Sequence, residues 1–316
     1  MSAPRQALLD EIAAAAGRPL DWRVDAAVQA VLRRCDADRV QAVLVYGSAL
    51  WQPPGADDVL DLYLVVDDPR AAGQGPVAAA LNRVLPPNVI YLETPADDAT
   101  VRAKCAIVSG RQFDRGARRG ATPLIWGRFA QPCRIAHARD AAAREAVHAA
   151  LAEAVLTFHR RLLPLLPARL TPEVFWRRAL VESYARELRP EGATRAGQLW
   201  DAYGDALARR TWQALPLTGF PVEVEGDDGA FGVRIARRGR VWARATGALA
   251  RPGGKLLSLL RAMKAAFTFE GGVDYVCWKI ARHSGVAVRP TPFQRRHPLI
   301  GGWPLLWRIY RQGGLR

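Results

Sequence analysis

Residues 43–68 of the chain read VLVYGSALWQPPGADDVLDLYLVVDD. The apolar run at 42–46 predicts a strand that ends at Gly47-Ser48, and the second apolar run at 59–66 predicts another strand after a polar, proline-rich loop. Within the second run the only acid is Asp61. This stretch therefore predicts two neighbouring strands joined past a Gly-Ser turn, with one carboxylate inside the second strand.

That pattern is typical of the active site of nucleotidyltransferases. Glycine lets the backbone approach a triphosphate closely, and the turn offers backbone N–H groups to phosphate oxygens. Ser48 adds a hydroxyl group, and Asp61 can hold Mg²⁺ against the phosphates. The simpler alternative is an ordinary pair of strands with a turn and one edge acid, because Gly-Ser pairs are common.

Composition sets broad limits on the class of protein. The chain has 316 residues, half of them hydrophobic, which is enough for one large domain or two ordinary ones. The cysteines are scattered and fit neither a zinc site nor a disulfide framework, so a reducing compartment is expected: Cys35, Cys105, Cys133 and Cys277. There is no signal-peptide pattern at the start and no apolar run near the ~20 residues that span a bilayer, so we expect a soluble or peripheral protein.

The charge is distributed unevenly along the chain. Its formal net value is +15. Residues 1–100 carry 14 acids against 8 Lys and Arg, whereas residues 251–316 carry 12 Lys and Arg against 2 acids. An acidic part suited to cations thus precedes a basic part suited to an anionic partner, either nucleic acid or an anionic membrane. High Ala and Arg usage can also have genomic causes, so the charge alone does not decide between them.

Hydrophobic periodicity, together with the glycine, proline and capping residues that end or start elements, predicts the remaining helices and strands. Helices are expected at 5–16, 24–35, 76–84, partly within 111–128, and at 140–163, 171–188, 194–211 and 273–284, and strands at 88–92, 103–108, 222–224, 231–235 and 241–244. The predicted class is α+β. It comprises a nucleotidyltransferase-fold mixed sheet with helices at 1–137, a mostly helical domain with a small antiparallel sheet at 138–250, and a basic amphipathic region at 251–316.

Further segments resemble, in order and spacing, the mitochondrial phosphatidate cytidylyltransferase family. These are the matrix-side CDP-diacylglycerol synthases of the translocator-maintenance type and their bacterial relatives. The similar segments are Tyr46-Gly47-Ser48-Ala49, Leu60-Asp61-Leu62 with Asp67-Asp68-Pro69, the strand Lys104 to Ser109, Gly127 to Cys133, and Ser183 to Arg189, where Glu187 replaces the family's Asp. The resemblance covers most of 42–190 and, loosely, 255–282.

The resemblance implies Mg²⁺-dependent transfer of CMP from CTP to phosphatidic acid, giving CDP-diacylglycerol and pyrophosphate in phospholipid biosynthesis. The implied nucleotide-binding residues are Tyr46, Gly47, Ser48, Lys104, Ser109, Arg128 and Arg189. The implied catalytic residues are Asp61, Lys104 and Glu187. Asp61 would hold the metal, while Lys104 and Arg128 would neutralise phosphate oxygens.

One position departs from most nucleotidyltransferases, which carry a second Asp two residues after the first. Tyr63 stands there, although the resembled family also has an apolar or aromatic residue at this point. Asp67 lies too far along the strand, at about 20 Å for ~3.3 Å per residue. Glu187 is the preferred second metal ligand and Glu93 the next, while Asp57 and Asp58 lie on a loop that could curl back.

The C-terminal region has an interfacial composition of Leu, aromatic residues and basic residues. One predicted helical face carries Leu256, Leu257, Leu259, Leu260, Met263 and Phe267. The residues expected at a lipid surface are Lys255, Lys264, Lys279, Trp303, Trp307 and Arg308. Each cation near an anionic leaflet contributes about 1 kcal/mol. The alternative is a helix whose apolar face packs on the protein's own core.

We therefore predict a peripheral phosphatidate cytidylyltransferase whose partners are CTP, phosphatidic acid and an anionic membrane surface, and we do not expect nucleic acid as a partner. It is expected in the bacterial cytoplasm on the inner face of the cytoplasmic membrane, or on the matrix side of the mitochondrial inner membrane if eukaryotic. Two alternatives stay open. One is nucleotidyl transfer to another acceptor, such as RNA, a protein or a small molecule, and the other is a non-catalytic protein that binds anionic membranes or nucleic acid.

Overall fold

A five-stranded mixed sheet organises the first half of the chain. The computed structural model describes residues 2–52, 55, 58–96, 99–187, 192–225, 229–275, 277–278 and 290–296. The strands are β1 (Val40–Tyr46), β2 (Val59–Val66), β3 (Asn88–Ala96), β4 (Ala99–Ser109) and β5 (Arg134–Ala138), in the spatial order β3-β4-β2-β1-β5. β2 and β4 run parallel, and every other neighbouring pair is antiparallel. The predicted α+β class with a mixed sheet is confirmed.

Helices cover both faces of the sheet and form most of the second half. They are α1 (Ala3–Ala16), α2 (Trp22–Leu32), α3 (Pro76–Val84), α4 (Gly110–Arg119), α5 (Trp126–Phe129), α6 (Ala141–Leu162), α7 (Pro172–Tyr184), α8 (Gly192–Ala214), α9 (Arg237–Thr268) and α10 (Pro292–Arg296). The starts of α6 and α7 follow from their caps, since the side chains of Asp140 and Thr171 accept hydrogen bonds from backbone N–H groups three residues on.

Alternation along the strands divides the core between the two faces of the sheet. Leu44, Tyr63 and Val108 face one large cluster, while Val43 and Leu62 face a smaller cluster on the opposite side with α2. The large cluster continues without interruption into the side chains of α6, α7, α8 and the small sheet. The predicted division at 137/138 therefore crosses one continuous hydrophobic core.

The small sheet consists of β6 (Arg169–Leu170), β7 (Val222–Glu225) and β8 (Ala230–Val233), in the order β6-β8-β7. The predicted strand at 241–244 is wrong, because those residues lie in α9. β8 already has a strand on each side, with Leu170 opposite Phe231 on one edge and Val224 opposite Phe231 on the other. A short run of apolar and basic residues is compatible with either a strand or a helix. Because both edges of β8 are already paired, residues 241–244 cannot add a strand next to it, and they form part of α9.

Helix α9 runs through the predicted boundary at 250 even though it contains Pro252. It approaches the end of α7 at Gly254, where a Cβ atom would lie 2.0 Å from the backbone oxygen of Arg186. Such a close approach requires glycine. In the described part of the chain, no helix combines the length and the apolar character needed to cross a membrane.

His159 lies fully buried in an aromatic cluster between α6 and α7. Its ring stacks on Phe175 at 4.6 Å, and its Nδ1 is 2.8 Å from the backbone oxygen of Val155. Burial lowers the pKa of His159 to about 4, against an opposing contribution from the Val155 hydrogen bond. The neutral imidazole is therefore part of the packed core.

This burial predicts a loss of stability in mild acid. The unfolded chain takes up a proton on His159 near its ordinary pKa of about 6.5, whereas the folded chain does so only near pH 4. Between these values the unfolded state binds more protons, so the free energy of unfolding falls as pH falls, by up to about 1.4 kcal/mol per pH unit.

Urea denaturation at several pH values checks this. His159→Gln should show a shallower fall between pH 6.5 and 4 than the wild type. His148→Gln removes a partly exposed histidine and should change the slope less. An unchanged slope in His159→Gln would contradict the assignment.

Candidate active site

The turn after β1 lies next to Asp61, the acid of β2. Gly47 has φ 91° and ψ −160°, a conformation essentially restricted to glycine, and a single 3₁₀ turn begins at Ser48. Tyr46 and Asp61 are opposite each other in the antiparallel register. A Cβ atom on Gly47 would lie only 3.3 Å from Oδ2 of Asp61. The structure thus brings Gly47 of the predicted turn next to the Asp61 carboxylate.

Lys104 joins Asp61 from the neighbouring strand. The two residues are partners in the parallel register of β2 and β4, and Nζ of Lys104 lies 3.6 Å from Oδ1 of Asp61. Their side chains are 32% and 35% exposed, so both groups remain accessible from solvent. Ion pairs of this exposure contribute about 0–1 kcal/mol to stability. The pair is thus worth little to the fold and stays available to a ligand.

A cavity of about 280 Å³ opens beside this pair, between the sheet, α5 and α9. Its floor includes Tyr46 and Tyr63, and two cations line it, Arg128 from α5 and Arg261 from α9. Arg128 donates to the hydroxyl of Tyr63 at 3.1 Å and stands over the ring of Tyr46 at 5.0 Å. Arg261 donates to the backbone oxygen of Pro86 at 2.9 Å. The cavity therefore offers two guanidinium groups on an aromatic floor.

Glu187 interacts electrostatically with these two arginines. It is 9% exposed, and burial raises the pKa of its carboxyl group, while Arg128 and Arg261 act to lower it. Among the residues that the structure describes, no group of three or more His, Cys, Asp or Glu side chains could hold a metal ion. This environment suits a charge partner of the arginines, and the role of Glu187 as second metal ligand stays a prediction.

Ser109 is a correction to the predicted nucleotide-binding set. It ends β4 opposite Val66, five residues beyond Lys104 and thus about 16 Å from it at ~3.3 Å per residue. Its hydroxyl and the side chain of Gln112 form a reciprocal capping box at the start of α4. Ser109 starts a helix at the opposite end of the sheet.

The other candidate acids are engaged elsewhere. Asp67 accepts hydrogen bonds from Arg139 and Gln41 at the far end of β2. Glu93 accepts from Tyr91 at 2.7 Å and from Arg102 at 3.3 Å. The carboxylate of Asp58 accepts from the backbone N–H of Gly55. Asp57 and Arg189 lie outside the described residues.

Lys264 is a second correction, because it is buried and does not face outward as a lipid-binding residue would. It is 8% exposed, and its Nζ donates to the backbone oxygens of Leu85 and Pro87 at 2.5 and 2.7 Å. Burial, and then the charge of Arg261, lower the pKa of Lys264 to about 8. Lys255 is exposed, and the remaining predicted lipid-binding residues lie outside the described part: Lys279, Trp303, Trp307 and Arg308.

The apolar face of α9 is exposed over its second half. Leu256, Leu259, Leu260, Met263 and Phe267 are between 40% and 72% exposed. Arg261, on the same helix, is the cavity residue that sequence reasoning missed. Its sequence position showed only a cation beside an apolar stripe, and no motif distinguished it from its basic neighbours.

The close approach at Gly47 predicts the effect of adding a side chain there. Gly47→Ala places a Cβ against Oδ2 of Asp61 in a backbone conformation that costs about 1–3 kcal/mol for other residues. We expect the free energy of unfolding to fall by that amount in chemical denaturation. Gly253→Ala, a helical position with open space, should be neutral or gain up to about 1 kcal/mol. Equal effects at both positions would contradict the strained turn.

Comparison with known proteins leaves the site to be interpreted from its own geometry. No family model matches the chain, and no curated protein matches it significantly. The resemblance to phosphatidate cytidylyltransferases therefore stays a prediction that rests on the motifs and their spacing.

Proposed function

We propose that the chain is a nucleotidyltransferase that transfers CMP from CTP to phosphatidic acid, releasing pyrophosphate. The observation that carries the proposal is the geometry at the end of β1. A Cβ atom added to Gly47 would lie 3.3 Å from the carboxylate of Asp61, and Nζ of Lys104 lies 3.6 Å from the same carboxylate. Three strands of one sheet thus bring a glycine turn, an acid and a cation to one accessible point. Nucleotidyl transfer uses such a set to hold a metal-bound triphosphate.

The reaction asks for alignment and charge neutralisation more than for covalent help from the protein. A phosphate oxygen of the acceptor attacks the α-phosphorus of CTP, and the bond from that phosphorus to the pyrophosphate oxygen breaks. The acceptor is already an anion, so no serine or histidine nucleophile is needed. Lys104 would neutralise charge on the triphosphate, and Gly47 would let its oxygens approach the backbone.

The residues at the turn could bind Mg²⁺ through one protein ligand. Mg²⁺ is commonly held by one or two carboxylates together with substrate phosphates and water. Asp61 is the accessible carboxylate at the turn, with 35% of its side chain exposed. When bound there, the ion would supply positive charge to the triphosphate oxygens. Asp61 is the residue that would hold it.

The cavity beside the pair supports an anionic substrate. Arg128 and Arg261 both line it, and guanidinium groups match phosphate oxygens in geometry and charge. Glu187 balances part of that charge in the free protein. We assign Arg128, as predicted, and Arg261, in addition, to phosphate binding.

The lipid acceptor is supported by α9. Its exposed Leu256, Leu259, Met263 and Phe267 lie on the helix that also lines the cavity through Arg261. An amphipathic helix with an apolar face and flanking cations is suited to the membrane interface. This arrangement favours an acceptor presented at a lipid surface over a soluble one.

Removing the Asp61 carboxylate tests the chemistry. Asp61→Asn should lower CDP-diacylglycerol formation from CTP, Mg²⁺ and phosphatidate liposomes by at least about a hundredfold, because a centre for charge stabilisation is lost. Liposome binding should be unchanged. Asp67→Asn, at the other end of β2, should keep its activity, and full activity in Asp61→Asn would refute the metal assignment.

Removing apolar surface from α9 tests the lipid assignment. Leu259→Ser combined with Phe267→Ser should weaken binding to phosphatidate-containing liposomes by about tenfold or more in co-sedimentation. Val224→Ser removes an exposed apolar side chain on β7, and this variant should bind the liposomes normally. Unchanged binding of the double variant, or turnover of a soluble acceptor without lipid, would favour the alternative acceptors.

A further inference from the structure

We infer that a second pocket, next to the turn that follows Gly47, binds the phosphate group of a small phosphorylated compound. The pocket has a volume of about 490 Å³ and is formed by the segment after α1, the turn after β1, the start of β5 and helix α8. Arg18, Arg134, Trp51 and Tyr203 line it. The inference does not rest on the proposed transferase activity.

Arg134 is a buried cation with no counter-charge among the residues that the structure describes. It is 6% exposed, and its hydrogen bond, from NH1 to the backbone oxygen of Cys133, is long at 3.4 Å. No carboxylate among the described residues forms an ion pair with it. Arg210, buried nearby to a similar extent, pairs with Glu11 at 2.8 Å and donates to a backbone oxygen at 2.7 Å. Burying an unpaired charge costs free energy. The difference between Arg134 and the paired Arg210 therefore indicates that Arg134 binds an anion from solution.

The hydroxyl of Tyr203 gives a second, independent indication. It is buried and has no hydrogen-bond partner in the described part of the chain. An unsatisfied buried hydroxyl costs free energy that an accepting oxygen would remove. Burial raises the pKa of this phenol, while the charges of Arg134, Arg210 and Arg18 act to lower it. Three donors therefore surround one pocket, two of them permanently charged.

The charged groups around the pocket give it an excess of positive charge. Asp201 also lines it, but Arg177 engages that carboxylate at 2.9 Å. Arg195 stands over the ring of Trp51 at 4.4 Å and adds another cation at the wall. Guanidinium groups favour phosphate, which can accept from several donors at once. The apolar wall at Leu50 and Trp51, and the volume, leave room for a group attached to the phosphate.

Binding measurements on the full chain test this site with three separate probes: inorganic phosphate, pyrophosphate and CMP, at constant ionic strength. At least one should raise the melting temperature and give a saturable calorimetric isotherm. Arg18→Gln and Tyr203→Phe should weaken that binding, Arg18→Gln by about tenfold or more. Arg209→Gln removes an exposed cation from the same helix as Tyr203 and should bind as the wild type does.

Two further variants keep this test separate from the transferase. Asp61→Asn and Arg128→Gln should keep the part of the phosphate response that Arg18→Gln and Tyr203→Phe weaken, since neither Asp61 nor Arg128 lines this pocket. Any binding that Arg128→Gln removes belongs to the first cavity. Arg134→Met should lose the response without melting lower in phosphate-free buffer, because it removes an unpaired buried charge. The inference is overturned if no probe binds, if Arg18→Gln and Tyr203→Phe bind like the wild type, or if Arg134→Met melts far lower without phosphate.

Discussion

The approach of a glycine backbone to a carboxylate at the end of β1 is the constraint on which the candidate site depends. The register that sets Tyr46 opposite Asp61 brings the next residue, Gly47, over the acid. Any side chain at Gly47 would meet Oδ2 of Asp61 at 3.3 Å in a strained backbone conformation. The parallel register of β2 and β4 then adds Lys104 from the other side. Strand pairing alone therefore assembles an acid, a cation and open backbone at one accessible point.

Much of the basic charge in the second half of the chain is used inside the protein. On α9, Arg240 donates to the backbone oxygen of Leu166, and Arg251 donates to the carboxylate of Glu182 in α7. Lys264 of the same helix donates to the backbone oxygen of Pro87, just before β3. What α9 leaves exposed is an apolar face together with the cations Arg237, Arg238, Arg244 and Lys255. The net charge of the sequence thus overstates the charge available to a partner. Cations that lack a carboxylate partner in the described structure, such as Arg134, are more informative than the total.

The sequence predicted the strands around Gly47 and Asp61 because alternation and a Gly-Ser stop are local signals. It could not predict β5, whose pairing with β1 is long-range, nor the helix at 241–244, where a short apolar run fits both conformations. Ser109 was misassigned because a helix cap and a phosphate-binding hydroxyl use the same residue type. Lys264 was misassigned because the side of an amphipathic helix that packs is decided by its neighbours. Arg261 was missed for the same reason.

Calorimetric titration with CTP, in the presence and in the absence of Mg²⁺, tests directly whether Asp61 holds a metal ion against a nucleoside triphosphate at the Gly47 turn. We expect saturable CTP binding that requires Mg²⁺ and that Asp61→Asn abolishes, while the variant keeps its fold. CTP affinity that is the same without Mg²⁺ and in Asp61→Asn would contradict this assignment.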